Sequence, residues 1–198
     1  ALEEVYGKET FVRLNKPESI IIRIDDNKLN EQLVRNYKES DIVLHYPNIN
    51  NIKSGDESFE NFKYASGILE NFLNGKLKPS EAFDINSIGK FLAFADIFKA
   101  YHGLDATNMF FYYNKYNNKL EPMLYDSDPL LGTGYSSTIY EYNFIKQFFL
   151  DPVIFNAYKK NLKILTNIIE KKYLQKLKKN LLKDYYNFVS EFIKIPKY

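Results

Sequence analysis

Apolar side chains recur at intervals of three and four from Glu57 onward. Phe59, Phe62, Ala65, Ile68, Leu69 and Phe72 form one stripe, the spacing of an amphipathic helix. Asn74-Gly75 is its stop signal. Asp84, with Ser87 three residues on, is a natural N-cap for a second helix. Ile88, Phe91, Leu92, Ala95 and Phe98 line the buried side of that helix, which is predicted to end near Tyr101 because Gly103 follows. Upstream the pattern is extended. ETFVRL and SIIIRI read as two strands with NKPES as the turn between them, the second rich in β-branched Ile. DDNKLNEQLVRNY opens with capping residues and predicts a short helix, and residues 41–56 read as loop. Farther along, MFFYYN and LEPMLYD are the strands of a β-hairpin that turns at NKYNNK. A loop rich in Pro, Gly and Ser runs from Asp126 to Ser137. Two helical regions follow, 138–149 and 152–193, with Pro152 in the first turn of the latter. The second region is too long for one helix and is predicted to divide around Asn180-Leu181 and Asp184. The fold class is therefore α+β: a mostly helical body with a small β-hairpin that carries acidic loops.

The 198 residues suit one domain or a part of a larger one, and 45% hydrophobic residues supply a sizeable core. The 17 Tyr and 16 Phe exclude a disordered chain. The first strands are too few for an independent sheet. Residues 1–56 are accordingly expected to be a strand-and-loop hinge region at the end of a larger upstream lobe, and 57–198 a mainly helical lobe. Net charge is +2, which gives no global signature of nucleic-acid binding. The charge is uneven: from Lys159 to the end, 11 Lys stand against 3 acidic residues, with no Arg. This segment reads as a solvated helix face or as a basic surface for acidic partners or phosphate, and not as a base reader. Without cysteine there is no disulfide scaffold, thiolate metal site or cysteine nucleophile. No apolar run is long enough to span a membrane.

The chemistry concentrates between Tyr101 and Gly134. A hairpin brings its two ends together. Asp105 and Asn108 precede the first strand, and Asp126 and Asp128 follow the second, so all four are expected to converge. Carboxylates and an amide suit a hard cation such as magnesium together with phosphate oxygens. A carboxylate left off the metal can orient or deprotonate an acceptor hydroxyl. The division of labour would make Asp105 the base and Asn108 and Asp126 the metal ligands. Asp128 would be a second ligand or an anchor for the loop. The competing reading is local: Asp105 caps the strand entry, Asn108 forms an Asx turn, and Asp126-Ser127-Asp128-Pro129 is an ordinary turn. His102 is expected to position the Asp105 loop. Gly132 and Gly134 form either a plain turn or a loop over phosphates, without the context of a dinucleotide or Walker motif.

These segments, FDINSIGKFLAFADIFKAYHGLDATNMFFYYN and KLEPMLYDSDPLLGTG, resemble the spore coat protein H family, the CotH kinase-like proteins. These are secreted or spore-associated atypical relatives of protein kinases. The resemblance covers residues 57–134. It implies a kinase-like C-terminal lobe, with Asp105 as the catalytic aspartate, Asn108 as the amide that follows it, and Asp126 and Asp128 as the two aspartates of the family's WDxD motif. Asn108, Asp126 and Asp128 would then hold Mg2+ or Mn2+ with ATP. Tyr125 stands where the family has Trp. The family's upstream nucleotide-binding lobe supplies a lysine that Lys8, Lys16 and Lys28 do not match. The implied activity is transfer of the ATP γ-phosphoryl group to Ser or Thr of a protein substrate, with the upstream lobe as a required partner and little activity from this chain alone. The implied location is extracellular, at the cell surface or on the spore of a bacterium, with the cytoplasm as the alternative. The alternative function is a non-catalytic surface or scaffold domain whose Tyr-rich faces and basic helices bind a protein or glycan.

Overall fold

The computed structural model describes residues 8–25, 42–47, 53–106, 108–125, 139, 143–169, 176 and 179–183. It is a mixed α+β fold built on one open, four-stranded antiparallel sheet. The elements are α1 (Lys8–Arg13), β1 (Ile21–Ile24), β2 (Ile42–Tyr46), α2 (Glu57–Leu73), α3 (Pro79–Ala82), α4 (Ile85–Phe98), β3 (Phe110–Asn114), β4 (Lys119–Met123), α5 (Asn143–Phe149) and α6 (Pro152–Ile168). A 3-10 turn, Tyr101–Leu104, separates α4 from β3.

The sheet order is β2-β1-β3-β4. The hairpin is as expected, with Phe110 opposite Met123 and Asn114 opposite Lys119. It does not stand alone, because β1 pairs with β3 through Ile21–Tyr112 and Ile22–Phe111. Side chains alternate across the sheet, so each strand serves two layers. Ile22, Ile24, Phe111, Tyr113 and Leu120 face the main core with α2, α4, α5 and α6. Ile21, Phe110, Tyr112 and Met123 face the other side, where Phe11 of α1 covers them. Burial on both sides explains why Ile20, Ile21 and Ile22 are apolar in succession.

Two readings of the N-terminal third are corrected. ETFVRL is not a strand: Lys8–Arg13 is helical. Its one indispensable apolar group, Phe11, packs against Tyr46 and Tyr112 at 5.1 and 5.9 Å between ring centroids. A helical turn delivers that ring and then reverses, with Asn15 at φ 50 and Lys16 N–H closing on the Phe11 carbonyl at 2.8 Å. Residues 41–56 are not all loop, since Ile42–Tyr46 is a strand paired with β1. Ile42 and Leu44 already alternate into the core, but the Pro, Asn and Gly that follow obscured them. The helix predicted over DDNKLNEQLVRNY lies, beyond Asp25, outside the described residues.

In α2, Ala65, Leu69 and Phe72 are buried as the stripe requires, and Gly75 follows at φ 71. In α4 the Asp84 carboxylate accepts the Ser87 N–H at 2.8 Å. That helix stops at Phe98, earlier than predicted, because Lys99 takes the left-handed conformation at φ 55. Pro152 opens α6, as expected. Residues 179–183 are helical, so no break falls at Asn180-Leu181, and Asp184 lies outside the described residues. No helix among the described residues is long and apolar enough to cross a membrane.

Asp151 ties two helices together. One oxygen caps α6 by accepting from Val153 N–H, and the other accepts from Ser80 N–H of α3, both at 2.9 Å. Burial pushes this carboxyl up, but the Ser80 hydroxyl and then the backbone N–H groups of Ser80, Val153 and Ile154 outweigh it and hold it below its ordinary 3.8. A depressed carboxylate contributes stability above its unfolded value and loses it as pH falls through the folded one. Asp151→Asn should therefore cost about 1 kcal/mol at neutral pH, since the amide NH2 confronts an N–H. It should also lose less stability than wild type between about pH 5 and pH 3 in urea unfolding. Equal losses in the two proteins would show that this carboxylate carries none of the acid sensitivity.

Candidate functional site

The loop ahead of β3 is held from several directions. Tyr101, Gly103, Leu104 and Ala106 are buried, while the Asp105 side chain is exposed. The Tyr101 hydroxyl donates to Asp96 of α4 at 3.0 Å and accepts from Lys99 at 2.8 Å. Burial pushes that hydroxyl's pKa up, and Asp96 adds to the effect against Lys99. The other Asp96 oxygen accepts from Tyr158 of α6 at 2.8 Å. One carboxylate thus links α4, α6 and the start of the loop.

Within the loop, the His102 carbonyl accepts from Asp105 N–H at 3.2 Å and from the Asn108 side-chain NH2 at 3.0 Å. Asn108 N–H donates to the Asp105 carbonyl at 2.9 Å. His102 does position the Asp105 loop, and it does so through its backbone carbonyl. The Asn108 amide is oriented by its NH2, so its oxygen is the end able to ligate a cation. Asp105 and Asn108 thus share one hydrogen-bonded turn, with the Asp105 carboxylate displayed outward.

The hairpin register puts the exit of β4 beside this turn. Phe110 pairs with Met123, and the Tyr125 ring lies 4.3 Å from that of Phe110. On another side of Phe110 the His45 ring meets it edge-on at 4.6 Å. Asp126 and Asp128, and with them Gly132 and Gly134, lie outside the described residues. Among the described residues there is no group of three or more His, Cys, Asp or Glu that could hold a metal.

A second feature was missed in the sequence. A groove of about 820 Å3 runs along the edge strand β4, walled by α1, α4 and α6. At its polar end the Glu121 carboxylate pairs with Lys16 and accepts from Asn114 at 2.8 Å and Ser87 at 3.2 Å. The Lys16 ammonium also sits 4.8 Å from the Tyr112 ring centroid. Burial, and after it the Glu121 charge, pushes the Tyr112 hydroxyl up to about 12. Lys16 and Glu121 are 105 positions apart, so no local spacing advertises the pair. The available signal was a glutamate at the centre of the strand KLEPM, between Leu120 and Pro122.

The chain matches no family model and no curated protein.

Proposed function

We propose that this chain is the catalytic-lobe portion of an atypical protein kinase, resembling the spore coat protein H family, that moves the ATP γ-phosphoryl group to Ser or Thr of a protein. The observation that carries this reading is the turn before β3. Tyr101, Gly103, Leu104 and Ala106 are buried around Asp105, the His102 carbonyl accepts from Asp105 N–H, the Asp105 side chain is exposed, and the strand β4 ends beside this turn. A carboxylate fixed by its backbone and open to solvent suits a base that meets an incoming hydroxyl. Asn108, Asp126 and Asp128 would hold Mg2+ or Mn2+, which would neutralise charge on the nucleotide phosphates. The chain's own contribution is positioning: the Asp96 clamp and the His102 carbonyl hold the Asp105 loop against α4 and α6.

The test is calorimetric titration of Mn-ATP into this chain and into a chain extended upstream, followed by phosphotransfer assays on the extended chain. Binding is expected in the extended chain. Asp126→Asn should abolish metal-dependent nucleotide binding without changing the thermal midpoint. Asp105→Asn should leave binding in place and slow transfer by about 100-fold or more. Absence of Mn-ATP binding in a folded extended chain would refute the kinase reading. A second reading, a non-catalytic domain that binds a partner, is favoured by the groove along β4, whose described lining includes neither Asp105 nor Asn108.

A further inference from the structure

Charge is divided unevenly along this chain. Residues 1–158 hold 16 Lys and Arg against 22 Asp and Glu, while residues 159–198 hold 11 Lys against 3 Asp and Glu. A body of net charge −6 thus carries a segment of +8. Lys159, Lys160, Lys163, Lys176, Lys179 and Lys183 of that segment are all exposed. Among the described residues none of the six pairs with a carboxylate. Lys8, Lys16, Lys63, Lys99 and Lys115 do form such pairs, and all of them precede α5.

Large apolar side chains are displayed among these lysines. Ile154, Tyr158 and Asn161 are the buried side of α6. Lys160, Ile164 and Ile168 are spaced by four, so they form one row along that helix, and all three are exposed. Every residue of the helical stretch 179–183 is exposed as well. There Lys179 and Lys183 share a face, and Leu181, two positions from each, falls on the opposite side with 58% of its surface exposed. Lysine on one face and aliphatic side chains on another is the composition of a helix that lies in a membrane interface.

The residue types narrow the partner further. The segment has no Arg, the residue that grips phosphate and guanine bidentately, and exposed Ile and Leu find no counterpart on a polyphosphate backbone. Protein interfaces are enriched in Arg and depleted in Lys. A bilayer with anionic headgroups answers both features. Ammonium groups on long stems reach the headgroups, and aliphatic side chains enter the boundary between headgroups and acyl chains.

We propose that the exposed face of α6 and the helical stretch 179–183 form a surface that adsorbs to an anionic phospholipid bilayer. Lys160, Lys163, Lys179 and Lys183 meet the headgroups, and Ile164, Ile168 and Leu181 insert shallowly. The same bilayer repels the net negative charge of residues 1–158 and turns the body outward. The surface uses neither Asp105 nor the phosphotransfer reading.

The test is flotation of the 198-residue chain with phosphatidylcholine vesicles, with and without about 30% phosphatidylserine. The chain should float with the anionic vesicles only. Binding should fall by about tenfold or more as salt rises from about 0.1 M to about 1 M and the Debye length shrinks from about 10 Å to about 3 Å. Lys160→Gln together with Lys163→Gln should weaken binding about 25-fold, at about fivefold per lysine. Lys53→Gln together with Lys76→Gln removes the same charge from exposed positions on the body and should change binding by less than about twofold. Leu181→Gln together with Leu182→Gln should weaken binding by about tenfold or more. Gln is close to Lys and Leu in helix propensity, so all three double variants should keep the wild-type thermal midpoint, which separates loss of the surface from loss of the fold. Several outcomes overturn the proposal. Equal flotation with neutral vesicles would reduce the surface to an apolar patch. An equal effect of the two lysine pairs would make net charge alone responsible. Tighter binding to polyuridine or to polyglutamate than to the anionic vesicles would make this a surface for RNA or for an acidic protein. Unchanged binding of the Leu181 and Leu182 variant would remove the insertion. No flotation of the folded chain with anionic vesicles would refute the adsorption itself.

Discussion

Phe83→Ala should destabilise the fold by about 3–5 kcal/mol, a large part of the 5–15 kcal/mol available to a typical domain. Phe83 is fully buried and lies where four elements meet. Its ring packs edge-on against Phe72 of α2 at 4.8 Å, and against Phe111 of β3 and Phe148 of α5 at 5.3 and 5.0 Å. Phe72 in turn contacts Phe148 at 5.2 Å, and Phe144 meets Phe148 at 5.6 Å. Tilted and edge-to-face pairs of this kind add about 0.5–1.5 kcal/mol each beyond the area they bury. Alanine removes the hub and leaves a void that the others cannot fill. Two of them are fixed by helices and one by the sheet.

The backbone at Phe83 raises the cost. Phe83 forms a bridge with Leu120, and the next residue donates its N–H to the Leu120 carbonyl. This junction starts α4 and aligns it with β4. The void therefore cannot close by shifting residues 83–84 without disturbing the Asp84 cap and the groove. Phe83→Leu keeps most of the volume and should cost less than half as much. Equilibrium urea unfolding measures both. A loss under about 1 kcal/mol for the alanine variant would mean that the aromatic cluster is not a cooperative unit.

What could be read from the sequence follows the range of the interactions involved. The stripes and caps of α2 and α4 and the β3–β4 hairpin are local, and each was legible from spacing within about 20 residues. The sheet was not. Its central pair joins Ile21 to Tyr112, a contact that no periodicity encodes. Without it, SIIIRI looked like a strand in search of a sheet. The same limit explains α1. ETFVRL has strand-like composition, but only the position of Tyr46 and Tyr112 over Phe11 makes a helical turn the better solution, a case of packing overriding propensity. The candidate chemistry divides in the same way. Asp105 and Asn108 sit three residues apart and were found. The Lys16–Glu121 pair and the groove around it depend on α1, α4, β4 and α6 together, and were not.

The second large effect is expected at Gly89, where α4 and α6 touch backbone to backbone. A Cβ on Gly89 would lie 2.8 Å from the Ala157 Cβ and 2.9 and 3.1 Å from its carbonyl carbon and oxygen. None of these is the flexible end of a side chain, so the helices themselves must separate. Helix propensity pulls the other way, since replacing a mid-helix Gly with Ala gains about 1 kcal/mol. Overpacking costs about 1–3 kcal/mol for a small insertion into a fixed contact. Here the insertion meets main chain, which favours the upper end of that range. Gly89→Ala should therefore be destabilising by about 1–2 kcal/mol net. Gly89→Leu should cost more than about 3 kcal/mol or prevent folding. Gly67 in α2 is the internal control, with nothing within 4 Å of an added Cβ. Gly67→Ala should stabilise by up to about 1 kcal/mol through propensity alone. Urea unfolding of the two alanine variants should thus give opposite signs. If both stabilise, α4 and α6 are not in main-chain contact. The Tyr158–Asp96–Tyr101 linkage that holds the Asp105 loop depends on that contact, because Tyr158 directly follows Ala157. Separating the helices at Gly89 would accordingly loosen the loop as well as the core. In the extended chain, Gly89→Ala should slow any phosphotransfer by more than its small loss of folded population can explain.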